Sequence, residues 1–334
     1  MRRTVWLGLG LGGAVLALAG CGVGLRGSAL PSPDPGGAMP PGTFREVLRT
    51  GEDGRRRTFE VHVPASYDPT RPTPLVVVLH GAFNTGRGIE AKTRFSALSE
   101  REGFLVAYPD GIGFAGLFQH WNAGWCCGKA LRIGLDDVGF VDRVVDRIEE
   151  VFAVDPTRVY MIGESNGGML TYLYAAEHPE RLAAAGVSSG AYGGRRAIDE
   201  ETWHVPRPAV PVPLVAFHGL ADDTLPFAGG ADVGSLPVLE GLEFWAEANG
   251  CAAAPVTEEL ADGAIVHRRW TAEDHDQGCA PVELWTIAGW GHEWAGGKPG
   301  DDRKAAALLH GFDATRTAWD FFRRFRREPA QGGS

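Results

Sequence analysis

The chain reads as an α/β protein, a mostly parallel central sheet with helices on both faces. Three observations predict this. From about residue 44, strand-like runs alternate with helix-like runs. Two of the strand-like runs, Leu75–Leu79 and Leu214–Phe217, are continuously apolar, as strands buried on both faces are. Residues 136–152 place Val138, Val141, Val145, Ile148 and Phe152 on one helical face, behind an acidic start at Asp136-Asp137.

The remaining elements follow in order. Strands are expected at Thr58–Val63, Phe104–Ala107, Arg158–Ile162, Ala183–Ser188, Ile265–Trp270 and Val282–Ile287. A helix is expected over Gly168–His178, stopped by Pro179, and a last one over Asp313–Arg326 with Ala318, Phe321, Phe322 and Phe325 inward. No internal repeat and no second-domain boundary is visible.

The 334 residues are 44% hydrophobic and 22% charged, which excludes a wholly disordered chain. The formal net charge is −10, the wrong sign for a general nucleic-acid binder. The N-terminus reads as an address. Arg2 and Arg3 precede an apolar stretch from Val5 to Ala19, and Leu18-Ala19-Gly20-Cys21 follows. This resembles a bacterial lipoprotein signal, with residues 1–20 removed and Cys21 lipidated. The Arg2-Arg3 pair also allows twin-arginine export. Loss of the leader removes two arginines and no acid, taking the charge to −12. Residues 21–43 are expected to be the lipidated Cys and a Gly/Pro/Ser-rich tether, 44–328 one catalytic domain, and 329–334 a tail. The only membrane contact expected is the lipid anchor.

Export implies an oxidising compartment. Beyond Cys21 stand four cysteines, Cys126, Cys127, Cys251 and Cys279. A Cys251–Cys279 bridge would stabilise the fold by about 3 kcal/mol. Cys126 and Cys127 could be free, cross-paired, or joined in a strained ring. The pairs lack zinc-ribbon spacing, so neither metal nor cofactor is expected.

In an open parallel sheet the site lies beyond the carboxyl ends of the strands. There the chain delivers His80-Gly81-Ala82-Phe83, then Gly163-Glu164-Ser165-Asn166-Gly167, then His218-Gly219-Leu220-Ala221-Asp222-Asp223, then Gly289-Trp290-Gly291-His292. Ser165 sits in a G-x-S-x-G frame between a strand and a helix, the setting of an exposed nucleophile. Gly186-Val187-Ser188-Ser189-Gly190 matches the same frame but runs into no helix, so Ser188 reads as a strand-end serine. A serine needs a base, and the base an orienting carboxylate. Of His267, His275, His292 and His310, only His292 follows a core strand in a glycine-rich loop. Asp222 and Asp223 both fit as the acid. Two backbone N–H groups should receive an oxyanion: that of Asn166, and one in the turn nearest Ala82. His80 and His218 read as supports for their turns.

Taken together, these motifs resemble the polyhydroxybutyrate depolymerase / feruloyl esterase family of secreted α/β-hydrolases. The likeness also includes Pro226, Glu293-Trp294, the run Trp121-Asn122-Ala123-Gly124 through Cys126-Cys127-Gly128, and Asp136-Asp137-Val138-Gly139-Phe140, and it runs from about residue 57 to 325. The resemblance implies the α/β-hydrolase fold and an ester hydrolase. It also implies that Asp222, in His-Gly-x-Ala-Asp, is the acid. Phe83-Asn84 departs from the family, where a Gln is common after the His-Gly turn.

Trp121, Trp125, Trp290 and Trp294 flank the motif loops. Trp121, Trp290 and Trp294 are expected to stack on a sugar, phenolic acid or polyester. The family's substrates are feruloyl or acetyl esters of plant polysaccharide and hydroxyalkanoate polyesters. Residues 190–213 and Ala228–Leu239 read as no large apolar lid, which favours small or aromatic acids over long acyl chains. Rival readings are an acyltransferase of the same fold, a peptidase, and a non-catalytic binding lipoprotein. A dead site of the last kind should have lost Ser165, Asp222 or His292, and all are present.

Overall fold

A computed structural model describes residues 40–50, 54–114, 116–196, 201–230, 234–272, 278–297 and 309–328. The expected leader, Cys21, most of the tether, His275 and the tail lie outside the described residues. The first elements are β1 (Gly42–Thr50), β2 (Arg55–Val63), β3 (Thr73–Leu79), α1 (Gly86–Thr93), α2 (Phe95–Glu102) and β4 (Leu105–Pro109). A hairpin of β5 (Ile112–Phe114) and β6 (Leu117–His120) follows, then α3 (Gly128–Arg132), α4 (Asp137–Val151), β7 (Val154–Glu164) and α5 (Asn166–Glu177). Next come β8 (Ala184–Ser188), the short pair β9 (Gly193–Arg195) and β10 (Thr202–His204), β11 (Leu214–Gly219) and α6 (Val238–Ala248). The chain closes with β12 (Val256–Leu260), β13 (Ile265–Trp270), β14 (Val282–Ile287) and α7 (Ala314–Phe322).

Ten strands form one sheet in the order β1-β2-β4-β3-β7-β8-β11-β14-β13-β12. The six from β4 to β14 run parallel, and an antiparallel pair closes each edge. Strand β1 begins two residues inside the stretch expected to be tether. Side chains of the central strands divide with period two between two cores. Leu75, Val77 and Leu79 join Val141, Leu170 and Leu242, on the face covered by α4, α5 and α6. Val76 and Val78 join Ile89, Phe95 and Ala318, on the face covered by α1, α2 and α7. Each such fully buried apolar side chain contributes about 1.5–3 kcal/mol.

Two helix starts, those of α4 and α7, are fixed by acids. The Asp136 carboxylate accepts from Gly139 N–H at 2.7 Å, and that of Asp313 from Thr315 and Arg316 N–H. Each cap contributes about 1 kcal/mol. Cys251 and Cys279 are bridged, with Cα atoms 5.0 Å apart, which ties the end of α6 to the approach to β14. Cys126 and Cys127 are bonded to each other, one of the pairings left open above.

Candidate active site

Strand β7 ends at Glu164, and Ser165 takes φ 54° and ψ −121° before α5 begins at Asn166. The flanking glycines make this turn possible. A Cβ on Gly163 would lie 2.2 Å from Gly167 O, and one on Gly167 would lie 2.5 Å from both Leu79 O and His80 O. Strand, turn, helix and the end of β3 therefore meet backbone to backbone, where only glycine fits. Ser165 N–H donates to Ser188 O at 2.8 Å. The neighbouring Glu164 carboxylate is buried and accepts from Lys92 Nζ at 2.9 and 3.0 Å.

The loop after β14 brings His292 across to this elbow. Its Nε2 lies 2.8 Å from Ser165 Oγ, and its Nδ1 lies 2.7 Å from Asp222 Oδ2. Asp222 Oδ1 accepts from Thr224 and Leu225 N–H at 3.0 and 2.8 Å. Burial opposes ionisation of Asp222, but the His292 imidazole and the Leu225 N–H outweigh it and hold the carboxyl below its usual range. An ionised Asp222 accepts from Nδ1–H and leaves Nε2 free to accept the Ser165 hydroxyl proton. Asp223 is exposed, so geometry separates the two candidate acids. His218 is buried, bonds Leu225 O through Nε2 at 2.8 Å, and is kept in its neutral form by burial.

Ala82 lies in the turn after β3, and Asn166 directly follows Ser165 at the start of α5. Among the described residues neither backbone N–H has an acceptor, whereas the next amide of the turn, Phe83 N–H, donates to Gln119 O at 2.8 Å. Trp121 links the two positions. Its main-chain N–H donates to Asn166 Oδ1 at 2.7 Å, its carbonyl accepts from Asn166 Nδ2 at 3.1 Å, and its indole N–H donates to His80 O at 2.8 Å. Behind it, Asn122 N–H donates to Asp137 Oδ2, and Asp137 Oδ1 pairs with Arg57 at 2.7 Å in the interior. His80 is fully buried, with Nδ1 bonded to Gly81 O and Nε2 accepting from Gly111 N–H. Burial draws its pKa down to about 4, so it stays neutral and holds the turn.

The tryptophans correct the expected substrate contacts. Trp121, Trp290 and Trp294 are all buried. The indole N–H of Trp290 donates to Glu293 O at 3.0 Å, and that of Trp294 to Thr315 Oγ1 at 2.9 Å. An indole with its N–H satisfied inside the protein packs loops, and these three brace the site from within. Exposed aromatics beside the site include Phe83, Phe114 and Phe118, which sequence reasoning did not single out as contacts. The departure at Phe83 from the family pattern was the one available signal. Among the described residues no three His, Cys, Asp or Glu converge as a metal site.

A family model described as Esterase PHB depolymerase matches residues 59–230. NocK of Nocardia uniformis subsp. tsuyamanensis, named as an esterase, is 32% identical over 276 residues, covering 76% of this chain and 74% of that protein. Feruloyl esterase B of Piromyces equi is 26% identical over 253 residues, covering 74% of this chain and 44% of its own length, so this chain spans less than half of that relative. An acetyl xylan esterase from Aspergillus awamori superposes with a TM-score of 0.53 at 18% identity, covering 80% of this chain and 99% of that one, a likeness of fold. The α/β-hydrolase sheet, the matching family model and the NocK relative agree, and the chain belongs to the PHB depolymerase esterase family of carboxylic ester hydrolases.

Proposed function

We propose that the chain is an exported serine esterase that cleaves esters of small or aromatic carboxylic acids through an acyl-enzyme. The observation that carries this reading is the hydrogen-bonded line Asp222–His292–Ser165, with links of 2.7 and 2.8 Å. Ser165 Oγ attacks the ester carbonyl while His292 Nε2 takes its proton. The N–H groups of Ala82 and Asn166 receive the oxyanion. Collapse breaks the ester C–O bond, and the alcohol leaves with the proton from His292. Water, deprotonated by the same imidazole, then releases the acid. Asp222 keeps the imidazole in the required tautomer throughout and stabilises its protonated form.

The substrate class draws support from relatives named feruloyl esterase and acetylxylan esterase. Export draws support from the apolar leader ending at Cys21 and from the Cys251–Cys279 bridge. In this reading lipid on Cys21 holds the domain at the membrane through the tether, and the partner is a soluble or polymer-linked ester. The test is a panel of p-nitrophenyl esters of rising chain length together with methyl ferulate and a hydroxybutyrate oligomer. Rates should be highest for acetyl to butyryl or hydroxycinnamoyl esters and fall beyond about eight carbons if the cleft lacks the apolar area to bury a longer chain. Equal or rising kcat/KM on palmitoyl esters would contradict it.

A further inference from the structure

Four large apolar side chains stand in solvent beside the turn that carries Ala82. Phe83, Phe114, Leu117 and Phe118 are 69%, 80%, 58% and 60% exposed. The last three belong to the hairpin β5–β6, in which Phe114 lies opposite Leu117. This hairpin is tied to the turn: Phe83 N–H donates to Gln119 O, and Asn84 forms a β-bridge with Gln119. Phe83 and Phe118 both hold left-handed backbone, at φ 64° and 53°. Bulky residues rarely do so, and such strain gathers where a protein binds or reacts. Phe83 occupies the third position of the turn Gly81–Asn84, closed by Asn84 N–H to Gly81 O at 3.3 Å, a position that suits glycine. The chain places a water-exposed ring there instead. The rings of Phe83 and Phe118 meet edge to face at 6.5 Å, and Phe83 meets His120 at 4.5 Å.

We propose that Phe83 and Phe118 form the platform on which the flat apolar part of the ester's acid lies, giving a preference for aromatic over small aliphatic acids. The inference rests on the esterase reading above and adds the residues that select the acid. Its support is continuity with the reacting serine. A Cβ on Gly81 would lie 3.3 Å from Ser165 Cβ. Phe83 is two residues further on, so its Cα lies within about 7.6 Å of that of Gly81. The Phe83 backbone therefore stands close to a carbonyl held at Ser165, Phe118 joins it through the ring pair, and an aromatic arm matches an edge-to-face pair better than a methyl group does.

The test compares kcat/KM for methyl ferulate and p-nitrophenyl acetate in the full chain, with fluorophosphonate labelling of Ser165 as the measure of an intact site. Removing either ring, in Phe83→Ala or Phe118→Ala, should lower the ferulate-to-acetate ratio about tenfold, mainly through KM for ferulate. Phe118→Tyr keeps the ring and should keep the ratio. Phe83→Gly relaxes the strained backbone, so its Tm should equal or exceed that of the parent while the ratio still falls. An unchanged ratio in variants that label normally overturns the platform. So does a dimer that Phe118→Ala dissociates, or binding to lipid vesicles that it abolishes, since the patch then faces a second copy or a membrane. A parent chain that cleaves neither ester overturns the esterase reading itself, and the platform with it.

Discussion

Two G-x-S-x-G frames lie side by side at the ends of β7 and β8, with Glu164 opposite Ser188 in the parallel register. In the first, the central Ser165 itself takes φ 54°, and a helix starts at the next residue. In the second, Ser188 is the buried last residue of a strand, and it is Ser189 that turns, at φ 48°. The second frame serves the first, since Ser188 O accepts the Ser165 N–H. The glycines differ in the same sense. Added Cβ atoms at Gly163 and Gly167 meet backbone at 2.2–2.5 Å. Those at Gly186 and Gly190 first meet the side chains of Ile162 and Val187, at 2.7 Å. An elbow is thus defined by backbone forced against backbone, and the letters of the motif alone do not specify it.

The largest expected effect separates the two serines. Ser165→Ala should lower kcat on p-nitrophenyl acetate by about a millionfold, as loss of the nucleophile from a triad does. Ser188→Ala should stay within a few-fold, because alanine retains the carbonyl that Ser165 N–H needs; a comparable loss there would break the comparison. A second like-for-like pair sharpens it. Asp222→Asn should reduce kcat about 10⁴-fold by favouring the wrong His292 tautomer, while the exposed Asp223→Asn should leave turnover near the parent value. Comparable losses in steady-state kinetics would show that exposure does not separate these carboxylates.

The glycines are compared by urea unfolding. Gly186→Ala pushes on movable side chains and should cost about 1–3 kcal/mol, the usual range for overpacking. Gly163→Ala pushes on the main chain of α5 and should cost more or prevent folding. Equal losses would remove the distinction between the frames. The most condition-dependent effect is a pH dependence of the turn that the elbow packs against. His80 titrates at 6.5 when free and at about 4 in the fold, because burial disfavours its cation. Between those values the unfolded chain binds a proton that the native state refuses. The contribution is complete above about pH 6.5 and is lost as pH falls towards 4, with a limiting slope of about 1.4 kcal/mol per pH unit. His80→Gln should flatten the unfolding free energy over that window, and an unchanged slope would mean that His80 takes up its proton while folded.

Much of this arrangement was legible from residue order. The apolar runs of β3 and β11 read as doubly buried strands because both faces of the sheet are covered, and the period-two division of Leu75–Leu79 between two cores bears this out. Ser165 and His292 were placed by the strands that precede them. Asp222 and Asp223, adjacent and chemically alike, needed the family resemblance, and their burial now separates them. Edge elements were harder to read. Strand β12, Val256–Leu260, is exposed along its whole length and so has no apolar pattern. Strand β1 begins at Gly42, inside the stretch assigned to the tether, and its side chains are mostly half-buried or exposed. The tryptophans failed for a different reason. Adjacency to a motif loop does not reveal whether an indole turns inward, and in each case an acceptor of the protein itself, His80 O, Glu293 O or Thr315 Oγ1, decided it. The left-handed backbone of Phe83 and Phe118 was equally hidden, because the residue type argues against it.

The central claim is that one serine of the two frames is activated by His292, and labelling tests it most directly. The full chain is treated with a fluorophosphonate, digested, and mapped by mass spectrometry, beside Asp222→Asn and Ser165→Ala. Modification should be stoichiometric at Ser165, much slower in Asp222→Asn, and absent in Ser165→Ala. Modification at Ser188, or a Ser165→Ala chain that still reacts and still hydrolyses esters, would contradict it.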